Sequence, residues 1–339
     1  MLRQQSLWEA VRGVNNGRPP CTDAVQVTDL FCGAGGFSCG AKMAGCTVVF
    51  ACDSDKFVLE THSLNHPETR HVCGLLPDVE VAAPAPGART HLHGSPPCQM
   101  FSTARAESTD VRNSHPEHRT AESLVEWYLR FALNSQFNTW TMEQVPASGV
   151  IQIVERVRRE HPSLLAYTVI DMAHFGVPQH RKRLIAGSPS IVAWLKRAQS
   201  PTNIRSVQDV ICKPRGTHIR NSKSWCKRTA SGGYQKAALC ANARPICKPA
   251  YTVVTNGDMR WGTPADKHAK WHRLTVREKA MLQTFPSNYR LPMGRVRACR
   301  QIGNAVPPLL AKVIMNATRS LQIRPTSPSL RRPPGGIEV

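Results

Sequence analysis

The stretch QVTDLFCGAGGFSCG, Gln26 to Gly40, decides the fold. Gln26 to Phe31 reads as a short buried strand, and the glycines Gly33, Gly35 and Gly36 break it into a turn before a helix begins. A strand that passes through a glycine turn into a helix is the opening unit of an α/β domain with a parallel sheet. In such sheets ligands bind at the carboxyl ends of the strands. The glycines permit a tight turn and a close approach of backbone to ligand. The turn carries neither GxGxxG nor the Lys-Ser/Thr pair of a P-loop, so it marks a nucleotide-type site without indicating a dinucleotide or a triphosphate. The next strand, Thr47 to Cys52, is closed by Asp53, whose carboxylate suits a ribose diol.

Further strands are expected at Thr90 to His93, Thr139 to Glu143, Tyr167 to Met172 and Arg183 to Gly187. Helices fit between them: Leu124, Tyr128 and Phe131 keep i, i+4, i+7 spacing, and Ile151, Val154 and Val157 keep i, i+3, i+6. Helical pattern returns at Leu274 to Gln283 and again after Pro307 and Pro308. The 339 residues hold 44 Lys and Arg against 23 Asp and Glu, a formal net charge of +21, which makes a polyanion the first partner to consider. Between Ser190 and Arg260 thirteen Lys or Arg face two Asp, a net +11, in a stretch rich in Ser, Thr, Asn and Gly and poor in helical periodicity. It reads as a separate basic module. No membrane span and no secretory signal is visible. The twelve cysteines, spread without a CxxC pair, are expected to be reduced, in an intracellular protein.

Three tracts at expected strand ends carry chemistry. In Gly94-Ser95-Pro96-Pro97-Cys98-Gln99 two prolines stiffen the loop and hold the Cys98 thiol at the sheet edge. In Met142-Glu143-Gln144-Val145-Pro146 a carboxylate reaches the same edge. In Gln179-His180-Arg181-Lys182-Arg183 strand alternation sends Arg181 and Arg183 to one face. No metal site is expected: strand alternation with the proline turn disfavours a tetrahedral site from His91, His93 and Cys98, and Cys212, Cys226, Cys240 and Cys247 are widely spaced.

With the tracts DLFCGAGGFS, SPPCQMFS, the Glu143 segment, QHRKRLI, RLTVREKAMLQTFP and RQIGNAVPP in this order, the chain resembles the DNA (cytosine-5)-methyltransferases from about Val27 to Met315. The resemblance implies an α/β fold: an S-adenosylmethionine-dependent, Rossmann-like methyltransferase sheet with a small, loop-rich target-recognition domain. On that basis residues 1–24 would be a flexible extension, 25–189 the first part of the catalytic domain, 190–271 the target-recognition domain, 272–323 the part completing the cofactor pocket, and 324–339 a disordered tail.

The resemblance also assigns roles. Phe31, Gly33, Ala34, Gly35 and Gly36 would hold the methionine part of S-adenosylmethionine and Asp53 its ribose, Pro96 would also bind the cofactor, and Asn304 and Val306 would complete the pocket. Cys98 would be the nucleophile that adds to cytosine C6, and Glu143 the acid at N3. Arg181 would bind O2 and orient Glu143, and Arg183 would brace the loop. The partner would be double-stranded DNA, bound by a monomer with no membrane contact. Within the same family of reactions an RNA or tRNA cytosine methyltransferase is the alternative, and a catalytically silent DNA-binding relative is another. Two positions depart from the family pattern: Gln144 follows the glutamate where Asn is usual, and Gly74-Leu75, with Asp78 displaced, stands where an Asp for the adenine amino group is common.

Overall fold

The computed structural model describes residues 24–97, 117–221, 226–228, 234–236, 243–255, 259–263 and 271–321. The chain alternates strand and helix as β1 (Gln26–Leu30), α1 (Gly36–Met43), β2 (Thr47–Asp53), α2 (Lys56–Asn65), β3 (Arg70–Cys73), β4 (Thr90–Gly94), α3 (Glu117–Asn134), β5 (Thr139–Gln144), α4 (Ser148–Glu160), β6 (Ala166–Asp171), β7 (Lys182–Gly187) and α5 (Pro189–Ala198). The seven strands form one sheet in the order β3-β2-β1-β4-β5-β7-β6.

The expectation of a parallel sheet holds from β3 across to β5 and fails at β7, which runs antiparallel to both β5 and β6. The reason is chain length. Only residues 172–181 separate β6 from β7, too few for the crossover of roughly a dozen or more residues that a parallel return requires. The strand β3, with the pattern RHVC and partial exposure, carries no apolar run to announce it.

Each face of the sheet is covered. Val27, Val48, Ile170 and Ile185 pack with Phe37 of α1, Leu195 of α5 and, from the last helix α8 (Pro308–Ser320), Leu310 and Ile314. On the other face Leu92, Trp140, Met142 and Leu184 meet Val125 and Leu129 of α3 and Val154 and Val157 of α4. The close approach of α8 to α1 depends on Gly40, where a Cβ would collide with the backbone carbonyl of Pro308. The end of the chain is thereby returned to the first strand-helix unit.

A second, smaller unit holds β8 (His218–Asn221), β11 (Arg244–Pro245), β12 (Met259–Gly262) and β13 (His272–Arg273) in the order β11-β8-β12-β13, and an antiparallel pair, β9 (Cys226–Arg228) with β10 (Tyr234–Lys236). Its core gathers Ile219, Met259 and Trp261 of the small sheet with Val253, Leu274, Phe285 and Tyr289 and with Leu282 of α6 (Val276–Leu282). Helix α6 starts at a capping box in which Thr275 and Glu278 satisfy each other's backbone N–H. Just past the boundary expected at residue 190, Ile191, Val192 and Leu195 form the buried stripe of α5, whose Ile191 and Leu195 join the core of the large sheet. The surrounding Lys and Arg hid this apolar spacing.

Candidate active site

The carboxyl ends of β1, β2, β4 and β5 converge with α7 (Arg295–Asn304) and the turn after it on a cavity of about 520 Å³. Phe31, Gly33 and Ala34 form one wall. Phe31 lies in the left-handed region at φ 55, a conformation costly for a non-glycine residue and one that tends to persist where function demands it. Its ring meets Trp127 edge-on at 6.4 Å. Gly33, at φ 53, has open space where a Cβ would stand. Asp53 closes the turn: Gly33 N donates to its Oδ2 at 2.9 Å and Asp55 N to its Oδ1 at 3.0 Å. Burial raises the Asp53 carboxyl above the usual carboxylate range, against these two hydrogen bonds.

Pro96, Asn304 and Val306 also line the cavity. Gly35 and Gly36, expected beside them, are not among the lining residues. A Cβ on Gly35 would meet Tyr289, His62 and His66, and one on Gly36 would strike the Val306 carbonyl, so both glycines serve packing beneath the turn.

Glu143, Gln144, Arg181 and Arg183 reach the same cavity. Glu143 is buried, and Arg183 Nε lies 2.8 Å from its Oε1. That oxygen is buried and makes no hydrogen bond among the described residues, so charge holds the pair. The Arg181 guanidinium donates to Val253 O at 3.1 Å and Gly303 O at 2.9 Å. Arg183 thus pairs with Glu143, and Arg181 ties the strand entry to the small unit and to the turn after α7. Alternation alone sets the two arginines on one face. The difference arises because Val253 and Gly303, distant in sequence, bring carbonyls to Arg181.

Gln144 settles what its long side chain does. Its Nε2 donates to Pro96 O at 2.9 Å and its Oε1 accepts from Val145 N at 2.7 Å, pinning the proline loop to the end of β5. Cys98 lies outside the described residues. Neither Gly74-Leu75 nor Asp78 lines the cavity.

Other lining residues escaped sequence reasoning. Asp29, at the floor, accepts a hydrogen bond from Ser38 Oγ at 2.6 Å, and burial pushes its carboxyl up to about 7. Phe57, partly exposed, lies under the guanidinium of Arg297, 4.8 Å from the ring centre. Arg297 and Arg300 share the i, i+3 face of α7 just before Asn304, the one spacing that would have marked them.

A strand-end cavity with a glycine turn, an acidic residue after the second strand and an order in which the seventh strand is reversed defines an S-adenosylmethionine-dependent methyltransferase fold. The family model for C-5 cytosine-specific DNA methylase matches residues 25–130 and 193–320. The chain belongs to that family. It is 26% identical over 344 residues to the Type II methyltransferase M.AplI of Arthrospira platensis, covering 97% of this chain and 96% of the relative. To M.XorII of Xanthomonas oryzae pv. oryzae it is 24% identical over 376 residues, covering 89% and 86%. Among solved structures, one described as a DNA modification methyltransferase encoded within a prophage (E. coli) superposes with a TM-score of 0.60 at 20% identity, over 87% of this chain and 98% of that one. No helix among the described residues is long and apolar enough to cross a membrane.

Proposed function

We propose that the chain transfers a methyl group from S-adenosylmethionine to C5 of a cytosine swung out of duplex DNA, through a covalent bond between Cys98 and C6. The observation that carries this reading is that the buried Glu143–Arg183 pair opens into the same cavity as the glycine turn and the Asn304–Val306 turn. One space therefore serves both a base and a methyl donor.

The residues present suit the cofactor. Open space over Gly33 leaves room for the methionine part against Phe31, Ala34, Pro96 and Val306, and Asp53 keeps lone pairs for ribose hydroxyls after accepting its two backbone hydrogen bonds. Asn304 would complete the pocket. When bound, S-adenosylmethionine supplies an electrophilic methyl group.

Cytosine C5 is a weak nucleophile because the ring is aromatic and electron-poor. Addition of the Cys98 thiolate to C6 breaks that aromaticity and gives C5 enamine character, able to take up a methyl group. Charge then moves toward N3 and O2. Glu143 would share a proton with N3, a contribution of ~10² to 10⁴ in rate. Arg183, already beside Glu143, would take the place at O2 that the sequence assigned to Arg181. Proton loss from C5 and elimination of the thiol release the product. Extrusion of the base costs roughly a few kcal/mol, offset by phosphate contacts of the basic module. Within the range 190–271, target recognition falls to the small sheet and its connecting segments rather than to α5.

The test is transfer of a tritiated methyl group to duplex DNA and, in parallel, to tRNA. Label is expected in DNA for the natural chain and absent for Cys98→Ser with DNA binding retained. Full activity of Cys98→Ser, or label confined to tRNA, would overturn the reading.

A further inference from the structure

Strand β4 carries histidines at positions where a central strand usually buries apolar side chains. His91 and His93 are fully buried, on the sheet face that also bears Thr139, Thr141 and Glu143. They belong to one hydrogen-bonded chain. His91 Nδ1 lies 2.9 Å from Thr139 Oγ1 and its Nε2 3.0 Å from Thr141 Oγ1. His93 Nδ1 lies 3.0 Å from the same Thr141 oxygen and its Nε2 3.2 Å from Ser95 Oγ. Ser95 lines the cavity, one residue before Pro96, and its N–H donates to Leu30 O at the foot of the glycine turn.

Proton counting gives this chain a direction. Thr139 Oγ1 donates to Thr90 O at 3.4 Å and so accepts from His91. Burial pushes His91 down to about 3 and His93 well below its ordinary value, so each ring is neutral and has one donor and one acceptor. His91 Nε2 must then accept from Thr141, whose oxygen accepts from His93 Nδ1, and His93 Nε2 must accept from Ser95. The Ser95 proton is committed inward, and what its hydroxyl turns to the cavity is lone pairs.

We infer that the His91–Thr141–His93 chain fixes Ser95 as an obligate hydrogen-bond acceptor in the cavity, which makes Ser95 a specificity-determining residue for an amine N–H donor of the bound substrates. The inference rests on the methyl-transfer reading. Two groups of that reading share the chemistry: the α-ammonium of the cofactor and the 4-amino group of the target cytosine. A stacked ring keeps the device rigid, for Phe37 lies parallel to His93 with centroids 3.5 Å apart.

The test has two parts. In protein labelled with ¹⁵N-histidine, with resonances assigned through His91→Gln and His93→Gln, both rings are expected as the Nδ1–H tautomer; an Nε2–H tautomer at His93 overturns the inference. Binding is then compared for the natural chain, Ser95→Ala and Ser95→Thr. The ligands are S-adenosylhomocysteine and its analogue without the α-amine, and duplexes with cytosine or 2-pyrimidinone, which lacks the 4-amine, at the methylated position. Ser95→Ala is expected to lose roughly tenfold in affinity for one amine-bearing ligand and nothing for its amine-free counterpart, with Ser95→Thr restoring the loss. The pair that shows the difference names the donor. Equal losses for all four ligands, or none, overturn the inference. A natural chain that binds neither cofactor nor duplex contradicts the methyl-transfer reading instead.

Discussion

Glu143 owes its setting to Arg183, one turn of strand alternation away from the arginine that holds the backbone together. Arg183→Lys keeps the charge but loses the planar guanidinium, and Lys is a poor replacement where one group must meet a carboxylate and a base together. Its kcat is expected to fall by ~10² at saturating cofactor with little change in melting temperature. Arg181→Lys removes hydrogen bonds to Val253 O and Gly303 O and is expected to lower the melting temperature first. Steady-state kinetics with thermal unfolding of both variants check this, and the reverse pattern would return the roles to the sequence-based assignment. Glu143, Asp53 and the glycine turn were legible because each sits in a contiguous tract at a strand end. The division between Arg181 and Arg183 was not, since it depends on carbonyls that only the folded chain supplies. Asp29 and Ser95 were quoted within those tracts, yet nothing in the residue types distinguished a cavity floor from an ordinary strand end.

At the scale of elements, α2 with the residue that caps it and β4 put four histidines into the interior: His62, His66, His91 and His93. Burial lowers all of them, His62 to about 2, His66 to about 4, His91 to about 3 and His93 well below the ordinary value. A group lowered in the fold contributes stability above its unfolded value of ~6.5 and loses it as pH falls, at about 1.4 kcal/mol per pH unit for each histidine. Asp29, raised to about 7, works in the opposite sense: its contribution is present below its unfolded value and is lost as pH rises through about 7. The raised carboxyls of Asp29 and Asp53 offset only part of what four histidines lose, which leaves a net loss in mild acid. The urea midpoint is expected to be lower at pH 5.5 than at pH 7.5; an equal or higher midpoint would show that these rings are accessible to protons. Elements were legible where periodicity was strong, as in α3 and α4. The reversal of β7 lay in the shortness of its connection, and α5 was obscured by charge.

For the molecule as a whole, the excess of positive charge is only partly available to a partner. Arg220 is buried with its guanidinium 3.8 Å from the ring centre of Trp271, Arg244 lies 4.3 Å from that of Tyr251, and Arg215 pairs with Glu278 at 3.3 Å. Lys213 and Lys248 are exposed. Among the described residues the basic module therefore turns some of its cations to its own packing, and the proposed reading leaves exposed ones for phosphate. Duplex affinity is expected to fall steeply with salt, with a log-log slope of about −0.9 for each phosphate neutralised. Titrations between 50 and 200 mM salt, run with sequences that are and are not methylated, check it; a flat dependence would mean that the +21 charge does not face DNA.

Methyl transfer through Cys98 is decided by a duplex carrying 5-fluorocytosine at the target position, because fluorine at C5 blocks the elimination that frees the enzyme. With S-adenosylmethionine present, the natural chain is expected to form a denaturation-resistant adduct whose mass is that of protein plus methylated duplex strand, and Cys98→Ser to form none. An adduct that persists in Cys98→Ser, or an active natural chain that forms no adduct, would contradict covalent catalysis by this thiol.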